Sequence, residues 1–278
     1  MALVRVWAAA ALLLGACAAP EPGTLTIVGG GLSDDNAEVW GAFLDSARPR
    51  GDILIIPAAS GYPAESGASA KAAMVANGMD ANRIRVLPLA VMDDPTTGDV
   101  DESLWRANAT DPELAARIEN AAAIWMTGGD QRRITELLLG TPALDALRKA
   151  YQGGAGVGGT SAGAAAMSDP MITGGVRDGE ESEPLTFGMG LGLLPRAIVD
   201  QHFTERGRLW RLQAMNARFP DHVGVGIDED TALVMRGPDG MVMGRGAVHT
   251  VGASGAQRFE RGSALRIDPG HYIKGQQR

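Results

Sequence analysis

From Thr24 onward, short apolar runs alternate with longer mixed stretches, and this alternation sets the fold class. Thr24 to Val28 is a β-branched apolar run closed by Gly29-Gly30-Gly31, the pattern of a buried strand ending in a turn. Residues 35 to 47 then read as helical. The same beat repeats with a strand at Asp52 to Pro57, a helix near Ala64 to Asn77, a strand at Ile84 to Leu89, a helix around Pro112 to Asn120 and a strand at Ala122 to Thr127. A helix from Asp130 to Leu139, a glycine-rich strand near Ala155 to Gly158, a small-residue helix from Ser161, a strand at Arg196 to Gln201 and a helix through Leu212 continue it. Repeated strand and helix predict an α/β fold, a parallel sheet flanked by helices. From Val223 the character changes. Short runs at Gly224 to Asp228, Ala232 to Arg236, Met241 to Arg245 and Val248 to Val251 alternate with Gly and Asp turns, which predicts a C-terminal antiparallel β extension. The stretch Arg177 to Pro184, with Asp178, Glu180, Glu181 and Glu183, reads as a solvated acidic loop near the site.

Composition narrows the function classes. At 278 residues and 45% hydrophobic content the chain is long enough to bury a sizeable core, and 38 glycines suit a site built from tight loops. The 33 acidic against 25 basic residues give a net charge of -8, so the long-range field repels nucleic acid, and no nucleic-acid partner is expected. The N-terminus changes the picture more. Arg5 precedes the apolar run Val6 to Leu14, too short to cross a bilayer, and the run ends in Leu14-Gly15-Ala16-Cys17. That tetrapeptide resembles a bacterial lipobox, and Cys17 is the single cysteine of the chain. The expected division is a lipoprotein signal peptide over 1–16, a tether over 17–23 and a catalytic domain over 24–278, with the product exported and anchored to the cell envelope through lipidated Cys17. Ala18 after the cysteine suggests outer-membrane sorting; the alternative is an ordinary signal peptide cleaved near Ala19 and a secreted product.

Gly159-Thr160-Ser161-Ala162-Gly163 fits the G-x-S-x-G nucleophile elbow, and it follows an apolar glycine-rich strand and precedes a helix-forming alanine run. The Ala162 N–H then faces a developing oxyanion. The alternative is a small-residue turn that packs a helix on the sheet. Of the four histidines, His202 directly follows an apolar strand, where reactive groups gather in parallel α/β sheets, whereas His222 precedes a strand and His249 and His271 lie in the antiparallel tail. For the group that orients the imidazole, Asp228-Glu229-Asp230 arrives at the end of the next strand; Glu229 is preferred there, with Asp200 its competitor. The order Ser, His, acid excludes the α/β-hydrolase arrangement. Gly129, in Thr127 to Gln131, is the candidate second oxyanion donor. Arg208 and Arg211 stand near a helix start, where cations oppose the helix dipole, so a substrate carboxylate would account for them; pairing with the chain's own acids is the alternative. Gly29-Gly30-Gly31 lacks the spacing of a dinucleotide loop, and Asp93, Asp94, Asp99 and Asp101 sit without a histidine in what reads as a solvent-facing loop, so neither cofactor nor metal is expected.

With those residues placed, four blocks in order resemble peptidase family S51: Thr127 to Gln131, Gly158 to Met171, Val199 to Leu212 and Gly224 to Leu233. Within the family the chain is similar to the cyanophycinase branch more than to the aspartyl dipeptidases. The resemblance implies a flavodoxin-like sheet related to class I glutamine amidotransferases, and a serine, histidine, glutamate triad falling on Ser161, His202 and Glu229. It also implies substrate contacts at Gln131, Asp200, Gln201, Arg206, Arg208 and Arg211, and leaves homodimerisation open. The substrate it implies is cyanophycin, a polyaspartate whose side chains carry arginine, cut to β-aspartyl-arginine. The acidic residues near the site would receive the guanidinium. The other readings are an exported dipeptidase for Asp-X or isoaspartyl peptides, and a non-catalytic lipoprotein that binds acidic peptides.

Overall fold

The computed structural model describes residues 21–176 and 183–267. The first half runs β1 (Thr24–Val28), α1 (Ala37–Asp45), β2 (Ile53–Ile56), α2 (Pro63–Ala76), β3 (Ile84–Val86), α3 (Pro112–Glu119), β4 (Ala123–Met126), α4 (Gln131–Leu138), α5 (Pro142–Gln152) and β5 (Gly156–Thr160). After the single turn α6 (Ala162–Ala165) come β6 (Met171–Val176), β7 (Glu183–Gly188), β8 (Ala197–Gln201), α7 (Leu209–Arg218) and β9 (Val223–Ile227). The chain continues through β10 (Thr231–Arg236), β11 (Asp239–Gly244), β12 (Ala247–Gly252), β13 (Gly255–Glu260) and β14 (Ala264–Arg266).

Strands β1, β5, β4, β2 and β3 form a parallel core in that spatial order, and β10, β11 and β14 extend it antiparallel from the β1 edge. The fold is α/β and flavodoxin-like. Helices on both faces explain why β2 and β4 are apolar throughout instead of alternating. Ile53 and Ile55 point to one side, into the cluster of Trp40, Phe43 and Met74. Leu54 and Ile56 point to the other, into that of Ile134, Leu137 and Leu147. Each such fully buried side chain contributes roughly 1.5–3 kcal/mol. Local signals start the helices: Asn36 caps α1, Asp130 caps α4, and Thr141 caps α5 with Pro142 in its first turn.

One departure from the expected layout matters for the site. Strand β8, which leads to His202, does not join the main sheet; it pairs parallel with β9 in a second sheet completed by the antiparallel β12 and β13. This sheet has its own core, in which Ile198, Phe203, Leu212, Met215 and Val251 meet. Residues 29–31 are the seam between the sheets. The His202 N–H donates to the Gly29 carbonyl (2.7 Å), Asp230 N–H to the Gly30 carbonyl (2.8 Å) and Ser161 N–H to the Val28 carbonyl (2.9 Å).

The loop expected to face solvent is only half so. Asp93, Asp99 and Asp101 are exposed, but Asp94 and Glu102 are buried. Asp94 accepts from the Ala64 and Glu65 N–H groups at 3.0 and 3.2 Å, capping α2, and Glu102 accepts from Asp94 N–H (3.0 Å) and the Thr97 hydroxyl (2.6 Å). Carboxylates thus satisfied brace the helix start instead of seeking water. Of the acidic stretch Arg177 to Pro184, Glu183 and Pro184 begin β7, a strand where a loop was expected. The rest of it, the leader with Cys17, and His271 lie outside the described residues.

Candidate active site

Strand β5 delivers Ser161 into a backbone conformation rare for a side-chain-bearing residue, φ 52° and ψ −111°. The flanking glycines make this turn sterically feasible. A Cβ on Gly163 would lie 2.3 Å from the Met126 carbonyl oxygen, and one on Gly159 2.7 Å from the Gly163 backbone. Beyond β8, His202 also takes positive φ, 46°, which turns its ring back over the seam toward Ser161. The Ser161 hydroxyl lies 2.8 Å from His202 Nε2, and His202 Nδ1 lies 2.5 Å from Glu229 Oε1. With the carboxylate accepting from Nδ1–H, Nε2 carries the lone pair that faces the serine. Burial, foremost, holds the imidazole below its ordinary pKa; the bond to Glu229 opposes that, and the charges of Arg206 and Arg208 add to it. At neutral pH the ring is therefore a free base.

The three carboxylates after β9 divide their work. Glu229 meets His202. Asp230 accepts from the Ser33 hydroxyl and the Asn36 amide (2.9 and 2.8 Å), fixing the turn against α1. Asp228 accepts from Thr204 N–H and hydroxyl (3.1 and 2.6 Å) and from Ala247 N–H (3.1 Å), which pins the turn that carries His202. Burial alone would raise Asp228, but hydrogen bonds from His249, Thr204 and Ala247 together outweigh it and bring its pKa down to about 2. His249 was not expected near the site. It packs on the Phe203 ring with centroids 5.0 Å apart and sits 3.3 Å from Asp228, because its register on β12 sets it opposite Gly226 of β9.

Gly30 is the other contributor that pattern reading passed over. Its φ is +101°, and a Cβ there would lie 2.3 Å from His202 Cε1 and 2.4 Å from Nε2. The glycine run after β1 makes room for an imidazole, not for a phosphate. Gly129, at φ +138°, packs so closely on the 59–60 backbone that a Cβ would be 2.1 Å from the Ala59 carbonyl oxygen. Among the described residues neither the Gly129 nor the Ala162 N–H has a hydrogen-bond partner.

The residues expected to touch substrate separate into two groups. Arg211 and Asp200 are both buried and form a two-pronged ion pair, Arg211 Nε to Asp200 Oδ2 at 2.8 Å plus Nη2 to Oδ1, and Arg211 also donates to the Gly175 carbonyl on β6 (3.1 Å). Gln131 donates to the Ile172 carbonyl of the same strand (2.8 Å). Here these three tie the β6–β7 hairpin to the core. Asp200 therefore does not orient the imidazole, and Arg211 follows the reading in which it pairs with an acid of the chain. Arg208 donates to the Gln201 carbonyl and side-chain oxygens, both at 2.6 Å, and lies 3.6 Å from Asp200. Arg206 is exposed. Two carboxylates, Asp200 and Glu205, stand among Arg206, Arg208 and Arg211 on the β8–α7 side of the serine, and Glu205 accepts from the Glu229 N–H at 3.2 Å. On the other side a cavity of about 550 Å³ opens on Ser161 and His202 between α1 and α2.

A family model, peptidase family S51, matches residues 98–242, a span holding Ser161, His202, Glu229 and Gly129. The chain belongs to peptidase family S51. A relative named cyanophycinase from Trichormus variabilis (strain ATCC 29413 / PCC 7937) is 35% identical over 235 residues, 82% of this chain and 73% of that protein. A cyanophycinase from Geminocystis herdmanii (strain PCC 6308) is 38% identical over 167 residues, 59% of this chain. The match spans 61% of the Geminocystis protein, less than two thirds of its length. Among solved structures, a peptidase from an acI-B1 actinobacterium superposes with a TM-score of 0.65 at 22% identity, covering 90% of this S51 chain and 98% of the other, a likeness of fold.

Proposed function

We propose that this S51 chain is a serine-type peptidase that hydrolyses aspartyl peptide bonds, with cyanophycin as its substrate and β-aspartyl-arginine as its product. The observation that carries the reading is the unbroken line from Ser161 through His202 to Glu229; the Gly129 and Ala162 N–H groups have no hydrogen-bond partner among the described residues. In the proposed mechanism the Ser161 oxygen attacks the scissile carbonyl as its proton passes to His202 Nε2. Glu229 holds the imidazolium, and the two N–H groups receive the developing oxyanion. His202 then returns the proton to the leaving amine, and water, activated by the same imidazole, releases the product from Ser161. Arg206 and Arg208 supply the positive field for a substrate carboxylate. We further propose that the protein is exported and held at the cell envelope by lipid on Cys17, acting on polymer outside the cell.

The test is turnover of insoluble cyanophycin against a panel of Asp-X and isoaspartyl dipeptides, using the chain from Ala18 onward. Release of β-aspartyl-arginine from the polymer supports the substrate assignment. Cleavage of the dipeptides alone replaces it with a dipeptidase, and turnover of neither leaves the peptidase reading without support.

A further inference from the structure

The turn that carries His202 has a second cavity next to it, of about 350 Å³, lined by Phe203, Thr204, Arg208 and His249 among others. The turn begins in strain, because His202 holds φ 46°, and neighbouring contacts must keep it there instead of letting it relax into that space. Phe203 N–H donates to the Ile227 carbonyl (3.2 Å), and Thr204 donates to Asp228 Oδ1 through both its N–H and its hydroxyl. Two consecutive carboxylates thus grip the turn. Glu229 takes the imidazole at Nδ1, and Asp228 takes the backbone two residues further on.

His249 completes that grip. Its Nε2 lies 3.3 Å from both Asp228 Oδ2 and the Thr204 hydroxyl oxygen. The Thr204 proton is already given to Asp228, so both neighbours of Nε2 present lone pairs and Nε2 must carry the hydrogen, the tautomer opposite to that of His202. Asp228 Oδ2 then accepts from His249 and from Ala247 N–H. The ring has a second task. Gly226, opposite His249 in register, carries no side chain, and a Cβ there would stand 2.5 Å from the Phe203 ring, so Phe203 lies flush on β9 and His249 packs on it. Without the His249 donor, Asp228 Oδ2 keeps only the Ala247 N–H, and the carboxylate can swing toward the cavity and take Thr204 with it.

We propose that His249 is a positioning residue for the base: through Asp228 and Thr204 it holds the 202–204 turn forward, so that His202 Nε2 stays on the Ser161 hydroxyl. The proposal rests on the peptidase reading for the chemistry that His202 performs, but the path from His249 comes from the contacts alone.

The test uses variants of the full chain. His249→Phe keeps a ring on Phe203 and removes the donor, His249→Gln supplies a donor at similar reach, and Thr204→Val removes the hydroxyl at constant shape. Two readouts are compared: kcat and KM on β-aspartyl-arginine oligomers, and the rate at which a fluorophosphonate labels Ser161, followed by intact mass and independent of any peptide substrate. His249→Phe is expected to lower kcat and the labelling rate about tenfold with KM within about twofold, since a shift of a fraction of an ångström costs less than the roughly 10²-fold of a full one. His249→Gln is expected to recover most of that loss. A chain with both His249→Phe and Thr204→Val should lose no more than the slower single variant, because the two lie on one path. A labelling rate that His249→Phe leaves unchanged, a glutamine variant as slow as the phenylalanine one, or losses that multiply in the double variant each overturn the proposal. Labelling that depends on His249 while no oligomer is cleaved upholds it, and the substrate assignment alone then fails. Oligomer turnover that ignores His249 overturns it and leaves the peptidase reading standing.

Discussion

Replacing Gly30 with alanine adds a single methyl group, yet it acts on the chemistry directly. The new Cβ would stand 2.3 Å from His202 Cε1, and ordinary van der Waals contact begins near 3.4 Å, so the imidazole must retreat by about 1 Å. The backbone at φ +101° adds about 1–2 kcal/mol of strain for a side-chain-bearing residue. The ring moves more readily than the seam, because the seam is held by His202 N–H on Gly29 and Asp230 N–H on Gly30. A retreat of that size breaks the 2.8 Å contact with the serine hydroxyl and misaligns the base. Displacing a catalytic group by about 1 Å costs on the order of 10²-fold. The expected result is therefore a kcat on β-aspartyl-arginine oligomers lowered at least about 10²-fold, with a Tm lower by about 3–8 °C and an unchanged circular dichroism spectrum. A Gly30→Ala chain that keeps full kcat would refute the claim that this glycine exists to seat the imidazole.

Three more outcomes follow from the same contacts. The acid limb of kcat/KM falls below pH 6.5, because burial lowers His202, and Arg206→Gln, which removes a neighbouring positive charge, moves that limb to higher pH; a limb that stays fixed removes Arg206 from the field at the base. Asp228, lowered from 3.8 to about 2, contributes about 2 kcal/mol that is fully present above pH 4 and lost as pH falls toward 2; urea midpoints of Asp228→Asn should trail the parent at pH 7 and converge with it at pH 2. Arg211→Met strands the buried Asp200 charge and should cost about 3–5 kcal/mol in chemical denaturation, partly recovered by adding Asp200→Asn. A rise in KM with unchanged stability would instead return Arg211 to the substrate.

The elements most readable from the chain were those whose burial is one-dimensional. Ile53–Ile56 and Ala123–Met126 are apolar throughout because helices cover both faces of the sheet, so run length alone marks these strands. The elbow and its flanking elements were legible for a related reason, since the steric demand of the turn is written as glycine. What escaped depended on partners distant in sequence. The β6–β7 hairpin, with Gly174 and Gly175 inside its first strand, has weak local strand character and is held by Arg211 and Gln131 from other elements. Helix α5 was passed over despite Thr141, Pro142 and the apolar spacing of Leu144, Leu147 and Ala150, a signal that was present. Glu229 was preferred over Asp200 from strand order, but only the packing of α7 explains why Asp200 is taken by Arg211. The burial of Asp94 and the space that Gly30 leaves for a ring have no local signature at all, because both are set by contacts across the fold.

Ser161 is the proposed nucleophile of this peptidase, and its hydroxyl lies 2.8 Å from His202 Nε2. The most direct measurement is the rate of β-aspartyl-arginine release from cyanophycin by the chain and by its Ser161→Ala variant at equal concentration, with thermal melts of both. The expected outcome is release by the parent, a rate at or near background for the variant, and melts that agree within about 3 °C, since one hydroxyl leaves a single hydrogen bond unmade. Equal release by the two chains would contradict it.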